Sequence, residues 1–418
     1  MKKVLAILLA TAMVFSLVAC AKTTEEKVEE AVEAVVEDAV EEAVAEAEAE
    51  AAVEEAVEEA VEAALTNPNE ADFTYFEDQS WDINKYYNTI DPELKSNVTY
   101  TGTAGIVNVP DDPTTEMPDG TGYKIGFSVY YTVDEVGAML LQTMQDYAKK
   151  MGVELLVNDA NYDQLAQNSA IEQWVVEGVD GIIVGPCDFY GVEQGLLAAA
   201  DAGIPVVTLN PALAGTALTA VMSECTEQGA MAAQLLIDDL KAKGSDMKGK
   251  VVLQTLPFVH PNAATRAKGF KDAFAEYPDI EVVDLTGTSP EDHYTAFEGA
   301  IMNYGKELIG GFGLYSSATI GMLNANKANN AGIPITSIDN DKVILEAIYN
   351  GECLGSCCYS STAPAIWCLS DLVNYLNGIE VPSAMFYANM NVTKDNVEAA
   401  FEHYYAGKKL ADYMAENK

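Results

Sequence analysis

From residue 123 onward, apolar and polar positions settle into two rhythms. Short uninterrupted apolar runs end at Gly, Pro or a polar residue, and between them lie longer stretches with apolar residues three and four apart. The first rhythm is that of parallel strands covered on both faces, the second that of amphipathic helices. Strands are predicted at 124–129, 153–157, 181–184 and 205–209, with helices near 136–150, 165–177 and 192–202. A helix near 229–241 leads into a second set, with strands at 250–256, 280–285, 308–314 and 334–338 and helices at 263–275 and 318–331. Ser289-Pro290-Glu291 opens one more helix, with Ser capping it and Pro at its first position. Strands spaced by helices in this way make right-handed βαβ units and parallel sheets. Two such sets predict an α/β protein of two doubly wound lobes.

One phrase occurs in both sets. Residues 201–210 read DAGIPVVTLN and residues 330–340 read NAGIPITSIDN. In each, Gly suits the left-handed turn that closes a helix, and Pro cannot continue that helix. A β-branched run follows, and a polar residue, Asn210 or Asp339, ends the strand. About 130 residues, roughly one domain's worth, separate the copies. Ligands of open α/β sheets bind beyond the carboxyl ends of the strands. In the first lobe those exits are Tyr130-Tyr131, Gly185-Pro186-Cys187-Asp188 and Asn210-Pro211; in the second they are Leu256-Pro257, Tyr315-Ser316-Ser317 and Asp339-Asn340. If the lobes face one another, these loops line one cleft, with Arg266 near the start of a second-lobe helix. Aromatic faces with a few hydrogen-bonding groups suit a small polar ligand with apolar patches, as a sugar has. Arg266 can fork two bonds to oxygen ligands or can anchor helix to loop.

The part of the chain before residue 122 reads differently. Lys2 and Lys3 precede an apolar core from Val4 to Val18, which ends at Leu17-Val18-Ala19-Cys20. That is a short export segment, too short to span as a helix, with small residues at the cut site. It resembles a bacterial lipoprotein signal with Cys20 as the lipidated mature N-terminus; an ordinary secretory cut elsewhere is the alternative. Residues 21–65 are a low-complexity Ala/Glu/Val segment with valines four apart. It is expected to be a solvated, partly helical stalk of up to about 60 Å. A coiled-coil seam fits less well, because four-residue spacing drifts around the helix. Residues 66–121 form an N-terminal extension whose aromatics, Tyr75, Phe76, Trp81, Tyr86 and Tyr87, suggest partial packing on the body.

Charge and composition narrow the function. The 418 residues carry 65 acidic and 23 basic side chains, a formal net charge of −42, and Arg266 is the one arginine. Without clustered Lys/Arg, nucleic-acid binding is excluded. Six cysteines follow Cys20: Cys187, Cys225, Cys353, Cys357, Cys358 and Cys368. Their irregular spacing in a large α/β body favours free thiols, although export permits disulfides. No zinc spacing, nucleophile elbow, P-loop or dinucleotide glycine fingerprint occurs, and His260, His293 and His403 are far apart. Neither a metal nor a cofactor is expected, and an enzyme is disfavoured.

From about Tyr123 to Val392 the chain resembles the type I periplasmic-binding-protein fold, the ribose-binding-like solute receptors of ABC importers. The resemblance rests on 124–128, VEGVDGIIVGPCD (176–188), AGIPVVTLN (202–210), ATRAKGF (264–270), AGIPITSIDND (331–341) and NGECLGSCCYSS (350–361). It implies two lobes joined by a three-strand hinge: 122–224 with 360–381, and 225–359 with 382–395, followed by a tail at 396–418. It implies ligand contacts at Tyr130 or Tyr131, Asn210, Arg266, Tyr315, Asp339 and Tyr359, to which the strand-end rule adds Asp188 and Asn340. It also implies a monomer that captures a sugar-like ligand and delivers it to a permease. Two departures matter. Asn210-Pro211 stands where pentose binders often have Asp-Arg, and Tyr315-Ser316 where an Asn-Asp pair is common. The pocket is therefore less charged and richer in tyrosine, which opens the ligand class to glycosides, sugar alcohols and nucleoside-like molecules. Cys225 and Cys357-Cys358 fall at two expected hinge crossings, where a disulfide would stiffen the hinge. Lipid anchoring at Cys20 would hold the protein to the cell membrane outside the cytoplasm, at the outer face of the plasma membrane or on the periplasmic side. The same cleft would also serve a sensor that signals to a membrane kinase or chemoreceptor, and a structural surface protein is the remaining alternative.

Overall fold

The computed structural model describes residues 82–90, 94–110, 117–132, 135–257, 260–360, 362–405 and 407–416. The export segment with Cys20, the acidic stretch 21–65 and residues 66–81 lie outside the described residues.

Two open sheets form the body. The first has seven parallel strands in the order Ile106–Val109, Ala384–Tyr387, Thr219–Ser223, Val206–Leu209, Gly181–Val184, Lys124–Val129, Glu154–Asp159. The second has six, in the order Ile280–Thr286, Gly249–Thr255, Leu308–Gly313, Ile335–Ile338, Gly355–Cys358, Met390–Thr393, and only the last runs antiparallel. Each sheet carries an apolar core on both faces. Strands such as Gly181–Val184, Val206–Leu209 and Ile335–Ile338 are accordingly buried at every residue, which is why their apolar runs show no alternation.

The chain crosses between lobes three times. After Ser223 it enters the second lobe through the helix Cys225–Ala242, whose first N–H groups, on Thr226 and Glu227, are capped by the Glu224 carboxylate. It returns after Cys358 to the helix Ala363–Leu376, which packs on the first lobe's core. It crosses again between Tyr387 and Met390. The division at 381/382 drawn from the sequence needs correction here. Ala384–Tyr387 pairs with Thr219–Ser223 and Ile106–Val109 and so belongs to the first sheet, whereas Met390–Thr393 pairs with Gly355–Cys358 in the second. Two short strands separated by two residues look like one apolar stretch until their ladders are seen.

The described part of the extension before residue 122 is also part of the body. Thr99–Tyr100 pairs with Thr216–Ala217, and Ile106–Val109 forms the edge of the first sheet. The helix Ile83–Ile90 buries Ile83 and Tyr87 in the first lobe's core, and Ala264 of the second lobe packs against that same cluster. The Tyr86 hydroxyl donates to Glu224 at the first crossing and lies 2.5 Å from Thr226 Oγ1. The helix Ile83–Ile90 thus ties the first crossing to the first lobe's core. At the other end, Val397, Phe401 and Leu410 of the tail join the second lobe's core. All six described cysteines are free, so the hinge carries no disulfide.

Two glycines set the closest helix contact in the second lobe. A Cβ on Gly229 would lie 1.9 Å from the Arg266 carbonyl oxygen, and one on Gly269 would lie 1.8 Å from that of Thr226. The helices Cys225–Ala242 and Pro261–Phe274 therefore meet backbone to backbone, and this contact fixes where Arg266 starts. Gly299, within the helix Pro290–Tyr304, would meet nothing within 4 Å. Alanine improves helix propensity by about 1 kcal/mol at either site, but overpacking costs about 1–3 kcal/mol. Gly229→Ala is expected to lower the melting temperature and Gly299→Ala to hold or raise it, as a thermal melt of the two variants would show.

Candidate functional site

The repeated phrase ends in the same backbone conformation in both lobes. Asn210 has φ 68° and Asp339 has φ 77°. Each still completes the ladder before turning: Asn210 N–H donates to Val221 O at 2.9 Å, and Asp339 N–H to Cys357 O at 3.3 Å. Left-handed φ is tolerated at Asn and Asp because a short polar side chain can bond locally. The strand ends therefore demand these residue types, and the turn they make opens a cleft between the lobes.

That cleft encloses about 690 Å³. Six of the nine residues expected from the sequence line it: Tyr130, Tyr131, Asn210, Arg266, Tyr315 and Tyr359. The other three are not among its lining residues. The Asp188 carboxylate instead accepts from the N–H groups of Tyr190 and Gly191, closing its own turn. Asn340 is buried, and its carbonyl accepts from the Tyr405 hydroxyl at 2.8 Å. Asp339 sits behind the wall: one oxygen accepts from the Tyr359 hydroxyl at 2.7 Å, and the other lies 2.9 Å from both the N–H and the hydroxyl of Ser316.

Arg266 is 8% exposed and projects from the helix Pro261–Phe274. Its Nε donates to Gln228 Oε1 at 2.7 Å and its Nη1 to Leu314 O at 3.0 Å, while Nη2 lies 3.5 Å from the Tyr359 hydroxyl. Gln228 in turn donates to Ser223 Oγ at 2.9 Å and to Asn389 Oδ1 at 2.8 Å, and Asn389 donates to Glu224 O and Glu227 Oε2. Ser223 and Glu224 belong to the first crossing, Tyr359 to the second and Asn389 to the third. One guanidinium is thus bonded, directly or through one amide, to every crossing of the hinge. Burial, and after it the Asp339 carboxylate, holds the Tyr359 hydroxyl well above the ordinary phenol range, with Arg266 pulling the other way. Tyr359 is therefore a neutral donor between the two. Among the described lining residues, only Arg266 carries a formal charge at neutral pH; the rest are aromatic, amide, hydroxyl or aliphatic, with the Cys187 thiol and the His260 imidazole.

On the second lobe's wall, Tyr315 meets His293 Nε2 at 2.6 Å, and His293 Nδ1 meets Gln254 Oε1 at 2.6 Å. Burial lowers the His293 pKa and so favours the neutral ring between Gln254 and Tyr315, and the Tyr315 hydroxyl also donates to Gly287 O at 3.2 Å. Sequence reasoning missed Tyr162, Phe189, His260, Thr288 and Tyr387, all of which line the cleft. Tyr162 was findable, because it lies just past the strand Glu154–Asp159, an exit to which the strand-end rule was not applied. Tyr387 was not, since it ends a strand whose pairing the sequence hides.

A family model described as a periplasmic binding protein domain matches residues 125–380. The chain belongs to the periplasmic binding protein family. As such it is a solute-binding protein of extracytoplasmic type and not an enzyme. This binding protein is 29% identical over 278 residues to the xylitol-binding protein of Mycolicibacterium smegmatis, covering 65% of this chain and 78% of that one. It is 25% identical over 249 residues to the ribose import binding protein of Bacillus subtilis, covering 57% and 78%. In fold it is similar to an ABC transporter solute-binding protein from Bacillus halodurans solved with myo-inositol, with TM-score 0.61 and 23% identity over 69% of this chain and 99% of that one.

His260 gives the binding protein a pH dependence that can be measured without ligand. It precedes the cleft-facing helix Pro261–Phe274 without a side-chain bond to it, stands edge-on to Phe189 at 4.8 Å across the lobes, and its Nδ1 is buried without a hydrogen-bond partner. Burial, then the charge of Arg266, lowers its pKa to about 4. Its folded pKa lies below its unfolded value of about 6.5, so the unfolded chain takes up the extra proton between those values. The stability His260 contributes is full above about pH 6.5 and is lost as pH falls towards about 4. His260→Phe, which keeps a ring against Phe189, is expected to flatten that part of the stability profile in melts taken from pH 7.5 to 4.

Proposed function

We infer that this protein captures a neutral hydroxylated solute, a sugar or sugar alcohol, between its two lobes and delivers it to an ABC import permease. The cleft wall carries the reading: six tyrosines, Phe189 and neutral hydrogen-bonding groups surround a single guanidinium. Aromatic faces stack on the C–H faces of sugars and polyols, and hydroxyls accept from a forked cation. Relatives named for xylitol and ribose support the same class. The lobes interconvert by hinge motion, and a ligand touching both favours the closed form that a permease recognises. The protein acts as a monomer, exported and held at the outer face of the membrane by lipid on Cys20, with 21–65 as the spacer.

The experiment is a thermal-shift screen of the full chain against xylitol, D-ribose, D-allose and myo-inositol. A ligand at a hundred times its dissociation constant adds about 2.7 kcal/mol, a rise of several degrees for lobes of this size. Arg266→Lys keeps the charge but loses the fork, and is expected to weaken binding at least tenfold. Clean folding with no shift from any of the four would refute the sugar–polyol reading. Cys20→Ser is expected to move the expressed protein from the membrane fraction to the soluble one.

A further inference from the structure

The turn before the helix Gln164–Glu177 holds a residue in a conformation it resists. Asn161 and Tyr162 have φ 47° and 58°, and a bulky aromatic in the left-handed region is a genuine outlier. The turn is pinned from both sides. Asn161 N–H bonds the Asp159 carboxylate at 3.1 Å, Tyr162 N–H bonds Tyr130 O at 2.8 Å, and Asp163 N–H bonds Ala160 O at 2.8 Å while its side chain caps the helix. Asn or Gly would satisfy those bonds without the steric cost.

The ring is not stored in a core. Tyr162 is 59% exposed, lines the cleft, and stacks on Tyr131 at 4.9 Å and on Tyr130 at 6.0 Å. Tyr315 of the opposite lobe lines the same cleft. The costly conformation sets an exposed ring on the cleft wall, where its stacking on Tyr131 and Tyr130 extends that wall into the space between the lobes.

We propose that Tyr162 is a specificity-determining residue of the binding cleft, extending the Tyr130–Tyr131 wall so that the closing lobes cover a second apolar face of the hydroxylated ligand. This rests on the sugar–polyol reading for the ligand's class, but not for the residue's role. The strain is held by the turn's bonds, and it is repaid when ligand fills the space between Tyr162 and the Tyr315 wall.

Two measurements on the full-length protein test it. Without ligand, Tyr162→Asn should melt about 2 °C above the wild type, because the turn is kept and the strain removed. With whichever of xylitol, D-ribose, D-allose or myo-inositol binds the wild type, Tyr162→Asn should weaken affinity about tenfold, and Tyr162→Phe should stay within about threefold. A lower melting temperature for Tyr162→Asn would make the ring a structural element and overturn the proposal, as would undiminished affinity. If none of the four solutes binds the wild type, the sugar–polyol reading fails, and the melting comparison alone still decides for or against a strained, non-structural Tyr162.

Discussion

A guanidinium taken out of water must be met on every side, and this fold is arranged around meeting one. Arg266 is the chain's one arginine, and its partners are an amide, a backbone carbonyl and a phenol rather than a carboxylate in direct contact. A buried charge paired so indirectly is costly unless its hydrogen bonds are kept in good geometry. The geometry is kept by Gln228, which shares a helix with the Gly229 contact, and by Asn389 behind it. Because Gln228 reaches Ser223 and Asn389, and Nη2 faces Tyr359, Arg266 is linked to all three crossings, and a change in lobe angle bears on that network. Binding and hinge position therefore share one set of hydrogen bonds.

Such sharing gives a ligand its leverage. A solute shifts an equilibrium only by its different affinity for the two states. Completing the guanidinium's remaining donors rewards the arrangement in which Gln228, Tyr359 and Leu314 already hold it. The neutral remainder of the wall then sets shape, and the lack of a lining carboxylate among the described residues favours ligands that accept more than they donate at that end.

Most of the architecture was legible in the sequence because buried parallel strands leave uninterrupted apolar runs and helices leave a three-and-four rhythm. The strands Lys124–Val129 and Gly181–Val184 lie where that pattern put them, and Ser289 caps its helix through a reciprocal pair with Asp292. What failed was short or non-local. Ala384–Tyr387 and Ile106–Val109 are four residues each and acquire meaning only from each other's hydrogen bonds. At the site, residue type at a strand exit located Tyr130, Asn210 and Tyr315 on the cleft. It could not tell which carboxylates were already engaged, so Asp188 and Asp339 were expected at the ligand although one Asp188 oxygen closes its own turn and both Asp339 oxygens accept from neighbours.

The edge strand Ile106–Val109 precedes the stretch that the family model matches, yet it covers the outer side of Ala384–Tyr387. A chain trimmed to the matched stretch would lose both of these strands and leave the N–H and C=O row of Thr219–Ser223 open, and unpaired rows of this kind recruit other chains. For this protein, the boundary of the recognised domain and the boundary of a well-behaved particle are different places.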